Sequence, residues 1–567
     1  MSVDLHRQGM SSFHERLADQ CAPEYNAALL IDAPGARSSA KDVSHEAVRE
    51  QWAAHLARER TGEVPKHPLY LYVHIPFCNQ VCSFCCYYVV AMTEAQRVDA
   101  YVDWLIGALE FHAPTFEGRE FEAVYIGGGT PSILDERNMD RLLAAIFARF
   151  RFTSGAQKCV ECNPDSVTEG KLSVMVRHGI NRVSMGVQTF NTQSLLLENR
   201  GYQSIEMVER AVTAIHGAGL VLNLDLIKGL RSDDGRAFLD TLVRIMKLRP
   251  AEISIYPLAP TLQYSNTALR GTDTKTHFDK VSRRYEESAE AVREAIAEAG
   301  YTGFDAASLD DGRAVALHEA RTSSTRMSAY ADAFAWPTSV LGVGPTARSR
   351  ITGVVSYSQD REIGSVFDPA KESLRARPVD ARDGMLHYLL WKIFNDEAVP
   401  AAEFRGYFGR DLQAAFPGPL DEIAARGQLE VDAGSVRITG DKRQRFLAAL
   451  TFFDPAELDP LLVTEYAVQT RTGPMRFRVS RVQPEQRYLR TAGDVGLVHV
   501  GRSSSFESDE HEMLLELFGG VFTKLGERLG PTSLRGFVDE FGKYLEVYLA
   551  RMRKDGSFGE LTIENKR

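Results

Sequence analysis

Four of the seven cysteines of this 567-residue chain fall within nine residues: Cys78, Cys82, Cys85 and Cys86. A disulfide framework would spread its cysteines along a small secreted chain, so this crowding points instead to metal. Cys78-x3-Cys82-x2-Cys85 places three thiolates on one short loop. Three thiolates can hold three irons of a cubane cluster and leave the fourth iron open to a chelating amino acid. The residues also leave open a structural zinc site completed by Cys86 or His74. Against that alternative, the adjacent Cys85 and Cys86 would chelate one zinc awkwardly.

Two further segments carry groups suited to binding. Gly127-Gly128-Gly129-Thr130-Pro131 allows a ligand close to bare backbone N–H and C=O groups, although a plain tight turn has the same composition. Glu161, in Glu-Cys-Asn-Pro, is a natural acceptor for ribose hydroxyls, or else a surface acid at a strand end. Cys159 and Cys162 flank it as C-x-x-C, but strand alternation sends them to opposite faces, which argues against a second metal site.

The elements that must position these groups alternate regularly. Apolar, β-branched runs occur near 70–75 and at 121–129, 158–164, 181–188, 220–229 and 252–257, separated by segments of helical period such as AYVDWLIGALEF and IEMVERAVTAIHGAG. Six strand–helix units in succession predict a parallel sheet with right-handed crossovers, with strands apolar enough for burial on both faces. Such a sheet is doubly wound or an incomplete (β/α) barrel, and both place the site at the C-terminal strand ends, where these residues fall. Residues 1–65 read as a helical extension, 66–300 as the strand–helix domain and 301–455 as a module that includes a small winged-helix-like part. Residues 456–567 read as an additional α+β domain.

The formal net charge of −10 and the lack of a long basic run argue against nucleic acid as a partner. The first 20 residues lack the apolar core of a secretory signal, and no apolar stretch approaches a membrane span. The expectation is a cytoplasmic protein without a membrane partner.

The run YVHIPFC with CSFC resembles the cluster motif of the radical S-adenosylmethionine (SAM) superfamily, and within it oxygen-independent coproporphyrinogen III oxidases. The likeness is specific over roughly 66–260 and looser to about 455. It implies a partial (β/α)6 TIM-like barrel holding a 4Fe–4S cluster on Cys78, Cys82 and Cys85, with one SAM and room for a second. It also implies SAM contacts at Tyr72, Phe84, Gly127, Gly128, Gly129, Thr130, Glu161, Gln188, Arg200 and Asp225. The glycines would meet the SAM amino group and Arg200 would form a bidentate fork with its carboxylate. Taken alone, Tyr72 reads as core, and Gln188 and Asp225 as buried polar residues. The sequence departs from the oxidase pattern at Cys86, which directly follows the third ligand instead of standing two residues beyond it. Cys86 is therefore expected to pack rather than ligate.

Relatives of this kind decarboxylate coproporphyrinogen, open the heme ring, or transfer carbon from a second SAM in methylation or cyclopropanation. A related heme chaperone is non-catalytic. The segment at 456–567 tips the expectation toward carbon transfer to a tetrapyrrole or an aromatic natural-product scaffold, with a flavodoxin- or ferredoxin-type electron donor. Arg321, Arg326 and Tyr330 could line an anion pocket or belong to a polar loop.

Overall fold

The computed structural model describes most of residues 41–258, 287–302 and 337–453, together with short strands at 313–316 and between 463 and 498. Cys86, Arg321, Arg326 and Tyr330 lie outside the described residues, as do the segments 1–40 and 499–567.

Residues 41–259 and 278–380 form one compact unit. In chain order its strands are β1 (Lys41–Ser44), β2 (Leu69–Ile75), β3 (Phe77–Cys78), β4 (Val90–Ala91), β5 (Glu120–Gly128), β6 (Arg151–Cys162), β7 (Arg182–Gln188), β8 (Val221–Lys228), β9 (Glu252–Pro257), β10 (Tyr301–Thr302) and β11 (Arg313–Ala316). They are followed by β12 (Ser339–Val343), β13 (Arg348–Ile351), β14 (Val355–Gln359) and β15 (Ser373–Pro378). The helices are α1 (His45–Thr61), α2 (Ala95–His112), α3 (Glu136–Arg149), α4 (Glu169–Arg177), α5 (Thr192–Leu197), α6 (Ile205–Gly217) and α7 (Gly235–Lys247). Most start on a residue whose side chain accepts from the first turn: Ser44, Asp135, Thr168, Asn191, Ser204 and Asp234.

Strands β2, β5, β6, β7, β8 and β9 pair in parallel and in chain order, without a reversal. A doubly wound sheet would reverse at a switch point, so this is the winding of a partial (β/α)6 barrel. A seventh parallel strand, β12, pairs with β2 and carries the antiparallel strands β13, β14, β15 and β1 outward.

The strands are not apolar on both faces, contrary to expectation. Leu71, Val73, Val124, Ile126, Val160, Val183, Met185, Leu222, Leu224 and Ile253 belong to the helix-facing core. The alternate positions carry Tyr72, His74, Tyr125, Cys159, Glu161, Arg182, Ser184, Asn223, Asp225 and Glu252. Strand alternation puts all of these on the concave face. Burial there is met by mutual hydrogen bonding, which lets polar residues line the inside of the barrel.

Two expected boundaries shift. Residues 301–455 do not form one module, because β12–β15 extend the barrel sheet and the described residues from 381 on fall in a second unit. Helix α1 belongs to the barrel unit rather than to a separate extension: Trp52 is fully buried and donates to the Tyr357 hydroxyl at 2.7 Å.

In the second unit, α8 (Ala381–Phe394), β16 (Val399–Pro400), α9 (Ala401–Phe408), α10 (Leu412–Ala415), α11 (Pro417–Ala425), β17 (Leu429–Asp432), β18 (Ser435–Ile438) and α12 (Lys442–Leu450) follow one another. Their three-stranded sheet, in the order β16-β18-β17, has the helix–strand–helix–hairpin order of a winged helix. Strands β19 (Val463–Thr470), β20 (Gly473–Ser480), β21 (Leu489–Ala492) and β22 (Val495–Val498) make a separate four-stranded sheet. Among the described residues no helix is long and apolar enough to cross a membrane.

Candidate functional site

The cysteine loop leaves the C-terminal end of β2 through Pro76 and is anchored where β3 pairs in parallel with β4. Cys78, Cys82 and Cys85 are all half-buried and unpaired by disulfide. The Cys85 amide donates to the Cys82 carbonyl at 3.1 Å, so these two thiols share one tight turn, with Phe84 half-buried between them. Cys78 Sγ lies 3.3 Å from Thr130 Oγ1, and burial pushes its thiol up. A bound cation would reverse that shift, since a coordinated thiol is deprotonated outright.

The glycine run meets this loop directly. Gly129 N donates to the Ile75 carbonyl at 2.7 Å, and Thr130 N to the Phe77 carbonyl at 2.8 Å. Any side chain at Gly129 would press on backbone, with Phe77 O 2.7 Å and Pro76 C 2.8 Å from an added Cβ. Gly128 adopts φ +116°, and a Cβ there would meet the His74 ring at 2.5 Å. His74 itself is fixed: Nδ1 is 2.9 Å from the Tyr72 hydroxyl and Nε2 3.2 Å from the Tyr88 carbonyl. Burial holds its pKa down at about 4, so the ring is neutral, donating to the carbonyl and accepting from Tyr72.

Glu161 ends β6 facing the glycines. Its Oε1 accepts from the Tyr125 hydroxyl at 2.7 Å and its Oε2 from Gly128 N at 2.9 Å. Burial raises its pKa to about 7, against the pull of those two donors. Each oxygen keeps a second lone pair for a ligand hydroxyl. On β8, Asp225 accepts from Ser184 Oγ at 2.9 Å and Asn223 Nδ2 at 2.8 Å, and burial raises its carboxyl as well.

Gln188 closes β7 where the register with β8 shifts, and its φ of +68° is uncommon for a residue with a Cβ. Its buried Oε1 has no hydrogen-bond partner among the described residues. A strained residue holding a buried, unmatched acceptor at a strand end is the feature a ligand donor would satisfy.

Arg200 is placed differently from expectation. Nε donates to Gln203 Oε1 at 3.0 Å, Nη2 to the Asn163 side chain and to the Gly186 carbonyl, and Nη1 lies 3.5 Å from Cys82 Sγ. One Nη1–H is left, so a bidentate fork with a carboxylate would break an existing bond. The guanidinium is set instead against a cysteine sulfur.

Deeper in the barrel, Arg182 pairs with Glu252 at 2.8 Å and donates to Cys159 Sγ at 3.1 Å. Burial raises the thiols of Cys159 to about 11 and Cys162 to about 12. Cys162 packs in the helix-facing core, so the pair does face opposite sides. Another group of metal-type donors, His55, Glu59 and His67, lies toward the N-terminal end of β2. Its carboxylate is committed, with Arg119 Nε 3.1 Å from one oxygen and the His67 amide 3.3 Å from the other.

Residues 72–242 match the family model of the radical SAM superfamily. They are a radical SAM domain. The radical SAM domain accounts for the chemistry of the donor set, since its cofactors are a 4Fe–4S cluster and SAM. The three thiols, the glycine cradle and the unmatched Gln188 acceptor fit those groups. The chain is 28% identical over 400 residues to the oxygen-independent coproporphyrinogen III oxidase of Escherichia coli (strain K12), covering 68% of this chain and 85% of that protein. It is also 28% identical over 378 residues to the heme chaperone HemW of the same organism, covering 66% and 94%. A solved coproporphyrinogen III oxidase from Escherichia coli, described as a radical SAM enzyme, shares the fold. The TM-score is 0.56 at 22% identity, over 71% of this chain and 93% of that one.

Several residues that build the site were not singled out from sequence: Tyr125, His74 as a hydrogen-bonding group, Ser184, Asn223, Asn163 and Glu198. Counting two residues back along the strands from Asp225 or Gly186 would have reached Asn223 and Ser184.

Proposed function

We propose that Cys78, Cys82 and Cys85 hold a 4Fe–4S cluster for reductive cleavage of SAM, and that the substrate is a carboxylate-bearing tetrapyrrole of the porphyrinogen class. When bound, such a cluster would supply one electron for the cleavage of SAM to methionine and a 5′-deoxyadenosyl radical, the species that would take a hydrogen atom from substrate carbon. The residues of the chain bind and orient. Gly127, Gly128 and Thr130 offer backbone and hydroxyl groups to the SAM amino group, and Glu161 accepts from its ribose. Gln188 and Asp225 meet its remaining polar edges, with Tyr72 and Phe84 shielding the site. A flavodoxin- or ferredoxin-type protein supplies the electron.

One observation carries the reading. Three thiols, the glycine run, Glu161, Gln188 and Asp225 all stand at or near the C-terminal ends of successive parallel strands, with Arg200 against Cys82. The substrate class rests on the two relatives, one an oxidase of coproporphyrinogen and the other a heme chaperone. The test is anaerobic turnover of the reduced, reconstituted protein with coproporphyrinogen III. Decarboxylated product together with 5′-deoxyadenosine is expected. Heme binding without 5′-deoxyadenosine would replace this reading with a chaperone role.

Carbon transfer from a second SAM is the second reading. It is favoured by the sheet β19–β22, which is separate from the barrel sheet. Its signature is S-adenosylhomocysteine formed alongside 5′-deoxyadenosine.

A further inference from the structure

Three consecutive residues after α5 each hold a different part of the cysteine loop. Glu198 accepts from Ser83 twice: its carbonyl from Ser83 N at 3.2 Å, and its Oε2 from the Ser83 hydroxyl. Asn199, at φ +55°, donates from Nδ2 to the Val81 carbonyl at 2.8 Å and accepts from Gln80. Arg200 reaches Cys82 Sγ.

Glu198 is fully buried, a costly place for a carboxylate unless it is paired and hydrogen-bonded. Its Oε1 accepts from both the backbone N and Nε of Arg231, at 3.1 and 3.0 Å. Arg231 Nη2 also donates to Ser83 Oγ at 3.3 Å, closing a ring of bonds through Ser83, Glu198 and Arg231. Ser83 stands between Cys82 and Phe84, so the ring fixes the backbone that carries two of the three thiols. Neither charged group is among the residues expected to touch SAM.

We propose that Glu198, paired with Arg231, is a positioning residue that holds residues 80–85 in their cluster-binding shape, and thereby sets how tightly the cluster is kept and the potential at which it works. This rests on the assignment of the cluster to Cys78, Cys82 and Cys85. A loop held in place beforehand loses less conformational freedom on binding, and displacement of Cys82 would also move it away from Arg200.

The test compares wild type, Glu198→Gln and Ser83→Ala, each full length and reconstituted anaerobically. Iron and sulfide content, cluster loss to a chelator, and the EPR spectrum and potential of the reduced cluster are measured, with thermal unfolding of the apo chain as the folding control. Cluster loss faster by about tenfold, the equivalent of one charge-assisted hydrogen bond, with an altered potential in folded variants, is the expected result. Ser83→Ala leaves Glu198 and Arg231 paired and decides the matter if Glu198→Gln does not fold. Loss rates within about twofold of wild type and an unchanged potential would overturn the proposal. A wild-type chain that takes up no iron would remove the cluster assignment, and this proposal with it.

Discussion

Nη1 of Arg200 stands 3.5 Å from Sγ of Cys82, and the rest of the guanidinium is fastened to Gln203, Asn163 and the Gly186 carbonyl. A fixed positive charge and an N–H at a cluster sulfur stabilise the more negative, reduced cluster. Replacing Arg200 with Leu should lower the reduction potential by about 60 mV, a tenfold change in a one-electron equilibrium. A redox titration followed by EPR checks this, and a potential equal to wild type would show that the contact does not tune the cluster.

Glu161 links the site to pH. Burial lifts its pKa to about 7, above the roughly 4.3 of a free glutamate. The folded chain therefore favours the protonated form. Its contribution to stability is whole below about pH 4.3 and is lost as pH rises to about 7. The apo Glu161→Gln variant should gain on wild type as pH rises across that window, by roughly 3–4 kcal/mol in total, in paired denaturant titrations. Ribose hydroxyls donate best to the ionised form, so SAM affinity of wild type should rise through pH 7, and the variant should lose that rise.

Gly129 has no room for a methyl group, because the atoms it would meet are the Pro76 and Phe77 backbone that leads into Cys78. Gly129→Ala should cost about 1–3 kcal/mol and sharply reduce iron uptake. Thermal unfolding and iron analysis of the same preparation measure both effects.

Arg182 and Glu252 form a buried pair in the barrel interior. Arg182→Leu strands the carboxylate and should cost about 3–5 kcal/mol, whereas Arg182→Leu combined with Glu252→Leu should recover most of that loss. Denaturant unfolding of both variants checks it; equal destabilisation would mean that the cost comes from packing instead of charge.

How much was legible in the sequence follows from the range of each interaction. The six parallel strands were legible because each carries its own local set of alternating apolar residues: the expected strand at 181–188 is seen at Arg182–Gln188, and that at 220–229 at Val221–Lys228. The polar lining of the barrel was missed because Asn223 bonds to Ser184, and Arg182 to Glu252, across strands, information no single strand carries. Strands β12–β15 were missed for the same reason: short segments such as RSRI and SLRARP are half polar and become strands by pairing on one another outward from β12, which pairs with β2. Arg200 was legible as a site residue but not in its setting, since the Cys82 contact spans 118 positions. Glu198 and Arg231 look like ordinary surface charges until the fold buries them against Ser83.

The central claim is that Cys78, Cys82 and Cys85 hold a cluster that cleaves SAM. The most direct measurement incubates anaerobically reconstituted, dithionite-reduced protein with SAM, beside Cys82→Ala, and follows 5′-deoxyadenosine and methionine by mass spectrometry. Formation of both by wild type, with neither formed by Cys82→Ala, is the predicted result. A wild-type protein with a full complement of iron and sulfide that yields no 5′-deoxyadenosine, with coproporphyrinogen III present, would contradict it.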